Sequence, residues 1–341
     1  MRSNGNDAAA IVLCAGGGIG DSLFASIVAR ALHQRYGRVD ALTLPSHCGA
    51  LERVPDFDDV LVDEGGEEQT LGARLAERSY AAAIVTWATA RIARIVRRAR
   101  IPVRVGQARR LYSGLFTKRV VVRSERGDVT SHWTQILLDY ARALDCDTED
   151  RHPRFCPKAS DEAEVHEMME RNRLAPGEFV IVHPCNAIAS RVAWPTAGWA
   201  ALANELADQL GVRVAVTGST EEASIARDIA RNGKVISLAG ATGVGGFGAL
   251  AKSARAFVGI TTGAMHVAAA VGCPTVGIFP FQSDFPDRWA PLGEKAAIVR
   301  ASYPCRAGDT KERCGARYAC IEHLDVARVL AATKALMGSL T

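Results

Sequence analysis

Short runs of aliphatic and β-branched residues alternate along the chain with stretches in which apolar positions recur every three or four residues. In the first half this pattern predicts strands at Ala9–Cys14, Val39–Thr43, Asp59–Val62, Ala81–Thr86 and Arg119–Val122. Helices fall between them near Ser22–Tyr36, Thr70–Arg78, Arg91–Arg98 and Thr130–Leu144. The second half predicts strands at Phe179–His183, Val212–Thr217, Val235–Ser237, Ala256–Gly259, Thr275–Phe279 and Ala297–Val299, again separated by helices. An amphipathic helix at Asp325–Met337, with Val326, Val329, Leu330 and Leu336 near one face, closes the pattern. Strand–helix alternation of this kind belongs to parallel sheets covered by helices, the α/β class. Between the halves, Asp147–Glu162 carries prolines and charges without apolar periodicity, as a linker does. The expected architecture is therefore two Rossmann-like α/β/α domains, 1–155 and 156–341, facing a central cleft.

Length and composition agree with this division. At 341 residues, 48% hydrophobic and 23% charged, the chain suits two globular domains of ordinary size. The N-terminus shows the pattern of neither a signal peptide nor a spanning helix, which points to a cytoplasmic protein. Nine cysteines, most set singly in apolar or loop surroundings, read as reduced thiols rather than a disulfide framework. The net charge of +4 hides an uneven distribution, because Arg91–Arg126 holds twelve basic residues against the single acid Glu125. Such a stretch is either a solvated face or a field for an anionic partner, a glycan or a membrane surface. Tyr112 and Phe116 are its only aromatic residues and do not interleave with the basic ones as a nucleic-acid platform requires, so nucleic acid is not expected.

Candidate chemistry gathers at the predicted ends of strands. In "GGGIGD" the glycines turn the chain after the first strand and place Asp21 at the mouth of a helix. Asp21 there either caps the helix or acts as a general base. The glycine spacing does not match the dinucleotide fingerprint G-x-G-x-x-G, which weakens a nicotinamide reading. In "FVGITTGAMHVAAAVGCPTVGIFP" a strand ends at Gly259, and Thr261 and Thr262 precede a helix opened by Gly263 and Ala264. Backbone N–H groups and hydroxyls meet at that turn, a ready phosphate site, and His266 lies three residues into the helix. Asn186, Ser190 and Arg191 follow the strand that ends at His183 and supply further polar groups. Gly218 and Ser219 follow another strand, with Glu222 at a helix opening from which a carboxylate can hold ribose hydroxyls.

Taken in order, these segments resemble glycosyltransferase family 9, the heptosyltransferases of bacterial lipopolysaccharide inner core. The resemblance runs from residue 11 to about residue 330. It includes Gly20-Asp21, "RIARIVRRARIPVRVGQARR", "SHWTQILLDYARALD", "VHP" and "WP" at Val182–Pro195, "TGSTEE", and "TTGAMHVAAAVGCPTVGIFP" followed by Trp289-Ala290-Pro291. It implies a GT-B fold with the acceptor mainly on the first domain and the nucleotide-sugar on the second. It further implies inverting, metal-independent transfer from ADP-heptose, a substrate rather than a resident cofactor, to a hydroxyl of an anionic glycan or glycolipid. Asp21 would be the general base and Glu222 the ribose-binding acid. The diphosphate would lie on Thr262–Ala264, with Gly18, Gly20, Arg94, Arg97 and Arg98 on the acceptor side. A protein of this kind works in the cytoplasm, where the basic stretch permits peripheral contact with the inner membrane.

The chain departs from the family pattern at two positions. Thr261 stands where an Asp is usual, and Val192 stands where a Lys is usual, with Arg191 one step earlier. These changes keep open a transferase using another nucleotide-sugar, beside a binding protein that retains only the fold. In the tail, Cys305, Cys314 and Cys320 form no tight C-x-x-C pair. A metal set there would need Cys273 or His323 as a fourth ligand, so no metal is expected.

Overall fold

The computed structural model describes residues 8–184, 194–231, 233–279, 286–301, 314 and 319–338. The chain divides into two compact units, Met1–Cys156 and Pro157–Thr341. In the first, β1 (Ala9–Leu13) leads through a glycine turn to α1 (Ile19–Phe24) and α2 (Ser26–Leu32). There follow β2 (Arg38–Thr43), α3 (Pro45–Leu51), β3 (Val60–Val62), α4 (Glu68–Glu77), β4 (Ala82–Val85), α5 (Ala90–Arg98), β5 (Val103–Gln107), β6 (Lys118–Val120) and α6 (Trp133–Arg142). Every strand pair is parallel, in the order β3-β2-β1-β4-β5-β6. Such a sheet is covered on both faces, which is why β1 and β4 read as unbroken apolar runs and are buried along their lengths.

The second unit opens with α7 (Ala159–Arg171) and continues through β7 (Phe179–His183), α8 (Thr196–Leu210), β8 (Arg213–Val216), α9 (Ala223–Ile229) and β9 (Val235–Ser237). It goes on with α10 (Val244–Ser253), β10 (Ala256–Ile260), α11 (Gly263–Ala270), β11 (Thr275–Phe279), α12 (Pro286–Trp289), β12 (Ala296–Arg300), α13 (Ala319–Glu322) and α14 (Val326–Gly338). Its sheet order, β12-β11-β10-β7-β8-β9, repeats that of the first unit read from the other side. Each order reverses direction once, between β1 and β4 and between β7 and β10. At such a switch point the loops leaving adjacent strands part and leave a crevice at the C-terminal edge of the sheet.

Each unit has its own core. The first packs Ile11, Leu13, Leu42, Ala83 and Val85 against α4 and α5 through Leu71, Leu75, Ile92, Ile95 and Val96. The second sets Trp199 of α8, fully buried and edge-on to Trp194 at 4.9 Å between ring centroids, over Val180, Val214 and Val258. Burial of a large apolar side chain contributes about 1.5–3 kcal/mol, so these layers fix the strand order firmly.

Three local differences from the sequence pattern bear on the site. The expected Ser22–Tyr36 helix is two short helices interrupted at Ala25, and the first begins at Ile19, so Asp21 sits inside its first turn. Helix α3, which carries His47, was not expected from so short and mixed a stretch. The linker is anchored rather than loose: Arg30 donates to the carbonyls of Asp150 and His152, Cys156 N–H donates to Arg53 O, Phe155 is buried, and α7 already begins at Ala159. Among the described residues no helix is long and apolar enough to cross a membrane.

Candidate active site

Asp21 stands at the switch point of the first sheet. Gly17, at φ +70°, turns the chain back after β1, and a Cβ there would lie 2.5 Å from Asp21 Oδ2, so the position accepts only glycine. Gly18 N–H donates to Asp21 Oδ2 at 2.8 Å, which closes the first turn of α1. The other carboxylate oxygen, Oδ1, is buried with no hydrogen-bond partner among the described residues. Burial raises the Asp21 carboxyl above its ordinary range, against the opposing hydrogen bonds from Gly18 and from its own N–H. One oxygen therefore positions the side chain, while the other has lone pairs unengaged and raised basicity.

A buried polar cluster holds this turn from behind. Ser22 Oγ donates to Cys14 O at 3.3 Å and lies 3.1 Å from His47 Nδ1. Burial lowers the basicity of His47 and pushes the Cys14 thiol up to about 12, so neither adds charge to the site. On the neighbouring strand the Thr86 hydroxyl donates to Leu13 O at 3.1 Å, which ties the loop after β4 to the end of β1.

That loop forms part of a cavity of about 300 Å³ walled by Trp87, Gln107, Arg110, Trp133 and Tyr140 over a floor of Val122, Ile136 and Leu137. Gln107, Arg110, Trp133 and Tyr140 lie in segments that carry the family resemblance, but none stands out there as a site residue, because the lining comes from the ends of β4, β5 and β6 and from α6. The arginines that did stand out are placed differently. On α5, Ile92, Ala93, Ile95 and Val96 face the core and the arginines face outward. Arg94 donates to both oxygens of Glu68, at 3.0 Å each from Nε, and Arg98 lies 3.6 Å from the same carboxylate. Arg97 and Arg98 are on the last turn of α5, and a helix following a parallel strand runs back toward the opposite edge of the sheet. Gly20 is buried inside α1, so the exposed backbone of the glycine turn is Gly17 and Gly18.

In the second unit, Thr261 and Thr262 follow β10 at the corresponding switch point. Thr262 caps α11 by position, yet its Oγ1 is buried with no partner among the described residues, beside the first N–H groups of Gly263 and Ala264. A buried hydroxyl and the first amides at the positive end of a helix form a cradle for an anion. His266 is buried in the following turn. Across the sheet edge, Ser219 N–H donates to Glu222 Oε2 at 2.8 Å, so Glu222, itself buried, fixes the Gly218–Ser219 turn. His183 Nδ1 and Thr217 Oγ1 are 2.9 Å apart and join the ends of β7 and β8, a link that sequence reading missed. Burial pushes His183 down to about 4, opposed by the Glu222 charge, so its ring is neutral.

Asn186, Ser190, Arg191 and Val192 lie outside the described residues, as does Cys305. Cys320 is buried and Cys314 half-buried, and among the described residues no group of three or more His, Cys, Asp or Glu side chains is placed to hold a metal ion. The Cys273 thiol is buried at the start of β11 and pushed up to about 12, which disfavours the thiolate a metal needs.

Two parallel six-stranded sheets of identical strand order, each with polar groups at its switch point, constitute the GT-B fold of nucleotide-sugar enzymes. The chain belongs to glycosyltransferase family 9 (heptosyltransferase), whose family model matches residues 69–318, and it is accordingly a glycosyltransferase. It is similar to lipopolysaccharide heptosyltransferase 2 of Escherichia coli strain K12, with 25% identity over 316 residues covering 86% of this chain and 89% of that one. Its fold matches that of E. coli ADP-heptose lps heptosyltransferase II with a TM-score of 0.79, 22% identity and coverage of 97% and 99% of the two chains. The family 9 glycosyltransferase from Veillonella parvula matches with a TM-score of 0.83, 15% identity and 99% coverage of both.

Proposed function

We propose that this chain transfers a heptose from ADP-heptose to a hydroxyl of a lipopolysaccharide inner-core glycan, in the cytoplasm, with inversion and without a metal. The observation that carries the reading is the divided carboxylate of Asp21. Its Oδ2 is held by Gly18, its Oδ1 has no partner among the described residues, and burial raises the affinity of the carboxyl for a proton. The acceptor hydroxyl gives its proton to Asp21 as its oxygen attacks the anomeric carbon of the donor. The bond from that carbon to the phosphate oxygen breaks, and ADP leaves carrying the electron pair. The amides of Gly263 and Ala264 with the Thr262 hydroxyl meet the diphosphate charge, a preorganised donor set for the leaving group. The Gly218–Ser219 turn, fixed by Glu222, supports the ribose. The ADP-heptose choice follows the relative from E. coli, whose name states that donor.

The test is ADP release from ADP-heptose with an inner-core acceptor. Asp21→Asn is expected to lower kcat by at least about 100-fold, the usual range for a general base, while ADP still raises the melting temperature. Full activity in Asp21→Asn would overturn the mechanism. A second reading, transfer from another nucleotide-sugar, rests on Thr261 standing where the family usually has an Asp. A melting-temperature response to UDP or GDP but not to ADP would favour it.

A further inference from the structure

The turn between β1 and α1 is built from residues that cannot hold it by themselves. Gly16, Gly17 and Gly18 are consecutive and give the backbone its widest freedom, and α1 has only 6 residues, too few to be stable alone. Its N-cap, Gly18, brings no side chain to the free amides. Ser22 closes the loop instead. Its N–H donates to Gly18 O at 3.2 Å, and its hydroxyl reaches back to Cys14 O at 3.3 Å, the carbonyl that also accepts from Gly16 N–H at 3.0 Å. Asp21 is thus carried between Gly18, which holds its Oδ2, and Ser22, which joins the two ends of the glycine loop. His47, buried in the first turn of α3, has its Nδ1 3.1 Å from the same Ser22 hydroxyl.

The direction of these bonds follows from the hydrogens available. A carbonyl oxygen only accepts, so the contact at Cys14 O uses the one hydrogen of the Ser22 hydroxyl. The contact at His47 then needs a hydrogen on Nδ1, which the ring donates to a lone pair of Ser22 Oγ. With a bare Nδ1 the hydroxyl could serve only one of its two neighbours, and the other contact would set lone pair against lone pair in a buried site, at a cost in free energy. We infer that His47 and Ser22 are positioning residues for the general base: the Nδ1-protonated tautomer of His47 donates to Ser22, Ser22 donates to Cys14 O, and this directed chain fixes where the Asp21 carboxylate stands. Burial lowers the basicity of His47, so the ring is neutral at pH 7 and its Nε2 bears no hydrogen. The inference rests on the reading of Asp21 as the base and adds to it a link to His47, which lies outside the segments that carry the family resemblance.

Two measurements test the chain of bonds and its effect. In nitrogen NMR of the full chain with isotope-labelled histidine, the ring signals lost in His47→Asn identify His47. They should show hydrogen on Nδ1 and none on Nε2 at pH 7, and hydrogen on Nε2 alone overturns the inference. Turnover of ADP-heptose with an inner-core acceptor is then measured well below each variant's melting transition. Ser22→Ala and His47→Leu should each lower kcat roughly ten- to a hundredfold, the effect of a displacement of about 1 Å at the base, with both KM values within about twofold of wild type. The ADP melting response should be unchanged, and the double variant should lose little more than either single one. His47→Asn, whose amide nitrogen can stand where Nδ1 does, should recover most of kcat. His47→Gln, whose amide nitrogen reaches the Nε2 place instead, should behave as His47→Leu. Wild-type kcat with only a lowered melting temperature in Ser22→Ala and His47→Leu, or equal kcat in His47→Asn and His47→Leu, overturns the positioning role. Absence of turnover in wild type removes the general-base reading and this role with it, whereas a bare Nδ1 in an active enzyme removes this inference alone.

Discussion

At the scale of single residues, the two oxygens of Asp21 stand in different situations, one closing the first turn of α1 and the other buried without a partner among the described residues. Keeping Oδ1 buried without a partner costs stability, because a carboxylate loses hydration there that only one hydrogen-bonded oxygen offsets. The folded-state affinity of Asp21 for a proton is raised above the unfolded one, so its ionisation destabilises the fold above the folded-state pKa and is harmless below the unfolded one. Asp21→Asn should therefore melt higher than wild type at pH 7, with the gap closing as the pH falls below the carboxylate range. For the same reason the acid limb of the kcat/KM profile should lie above the pH of an ordinary Asp, and a limb at or below pH 3.8 would speak against Asp21 as the base. His183 works in the opposite direction. Its folded pKa of about 4 lies below the unfolded 6.5, so the stability it contributes is complete above pH 6.5 and is lost as the pH falls toward 4. Melting curves from pH 4 to 7 should show a shallower slope for His183→Gln than for wild type, with buried His47 supplying part of the slope that remains.

At the scale of elements, the turn between β1 and α1 works through the absence of side chains. Gly16→Ala would push a methyl into the Trp87 indole, with 2.0 Å to Cδ1, and must displace it. The expected result is a fall of roughly ten- to a hundredfold in kcat/KM for the acceptor, with ADP binding unchanged. In a double-mutant cycle, Gly16→Ala should add little to Trp87→Ala, since the first acts by moving the second; full additivity would separate them. Much of this level was legible in the sequence, and for a physical reason. Strands buried on both faces, such as Phe179–His183 and Thr275–Phe279, must be apolar throughout, and their ends came out within a residue or two. The turn glycines and Asp21 were legible because a sharp bend needs glycine. The start of α1 was misplaced because glycines 18 and 20 argue against helix locally, whereas the hydrogen bond from Gly18 N–H to Asp21 and packing on α3 hold it at Ile19. The cavity was illegible because Trp87, Arg110 and Trp133 converge only once β4, β5 and β6 are laid side by side. The pairing of the α5 arginines was illegible for a related reason, since nothing in their spacing shows that Glu68, from α4, lies across from them.

At the scale of the whole molecule, one strand order is used twice with opposite chemistry at its two switch points. The first offers a carboxylate with raised basicity near a cavity lined by Trp87, Arg110 and Trp133. The second offers a helix N-terminus with a buried hydroxyl, a neutral histidine and the Glu222 carboxylate that fixes the Gly218–Ser219 turn. A division of this kind predicts that each ligand is felt by one unit. A ligand at about 100 times its dissociation constant stabilises the state it binds by ~2.7 kcal/mol, equivalent to roughly a hundredfold slowing of amide exchange through openings that release it. Hydrogen exchange with ADP should accordingly slow in peptides covering 217–223 and 261–266 and stay unchanged at 14–21 and 86–110. An inner-core acceptor glycan should produce the reverse pattern. Protection of the 14–21 turn by ADP alone would assign the nucleotide to the first unit and overturn the donor role given to Thr262.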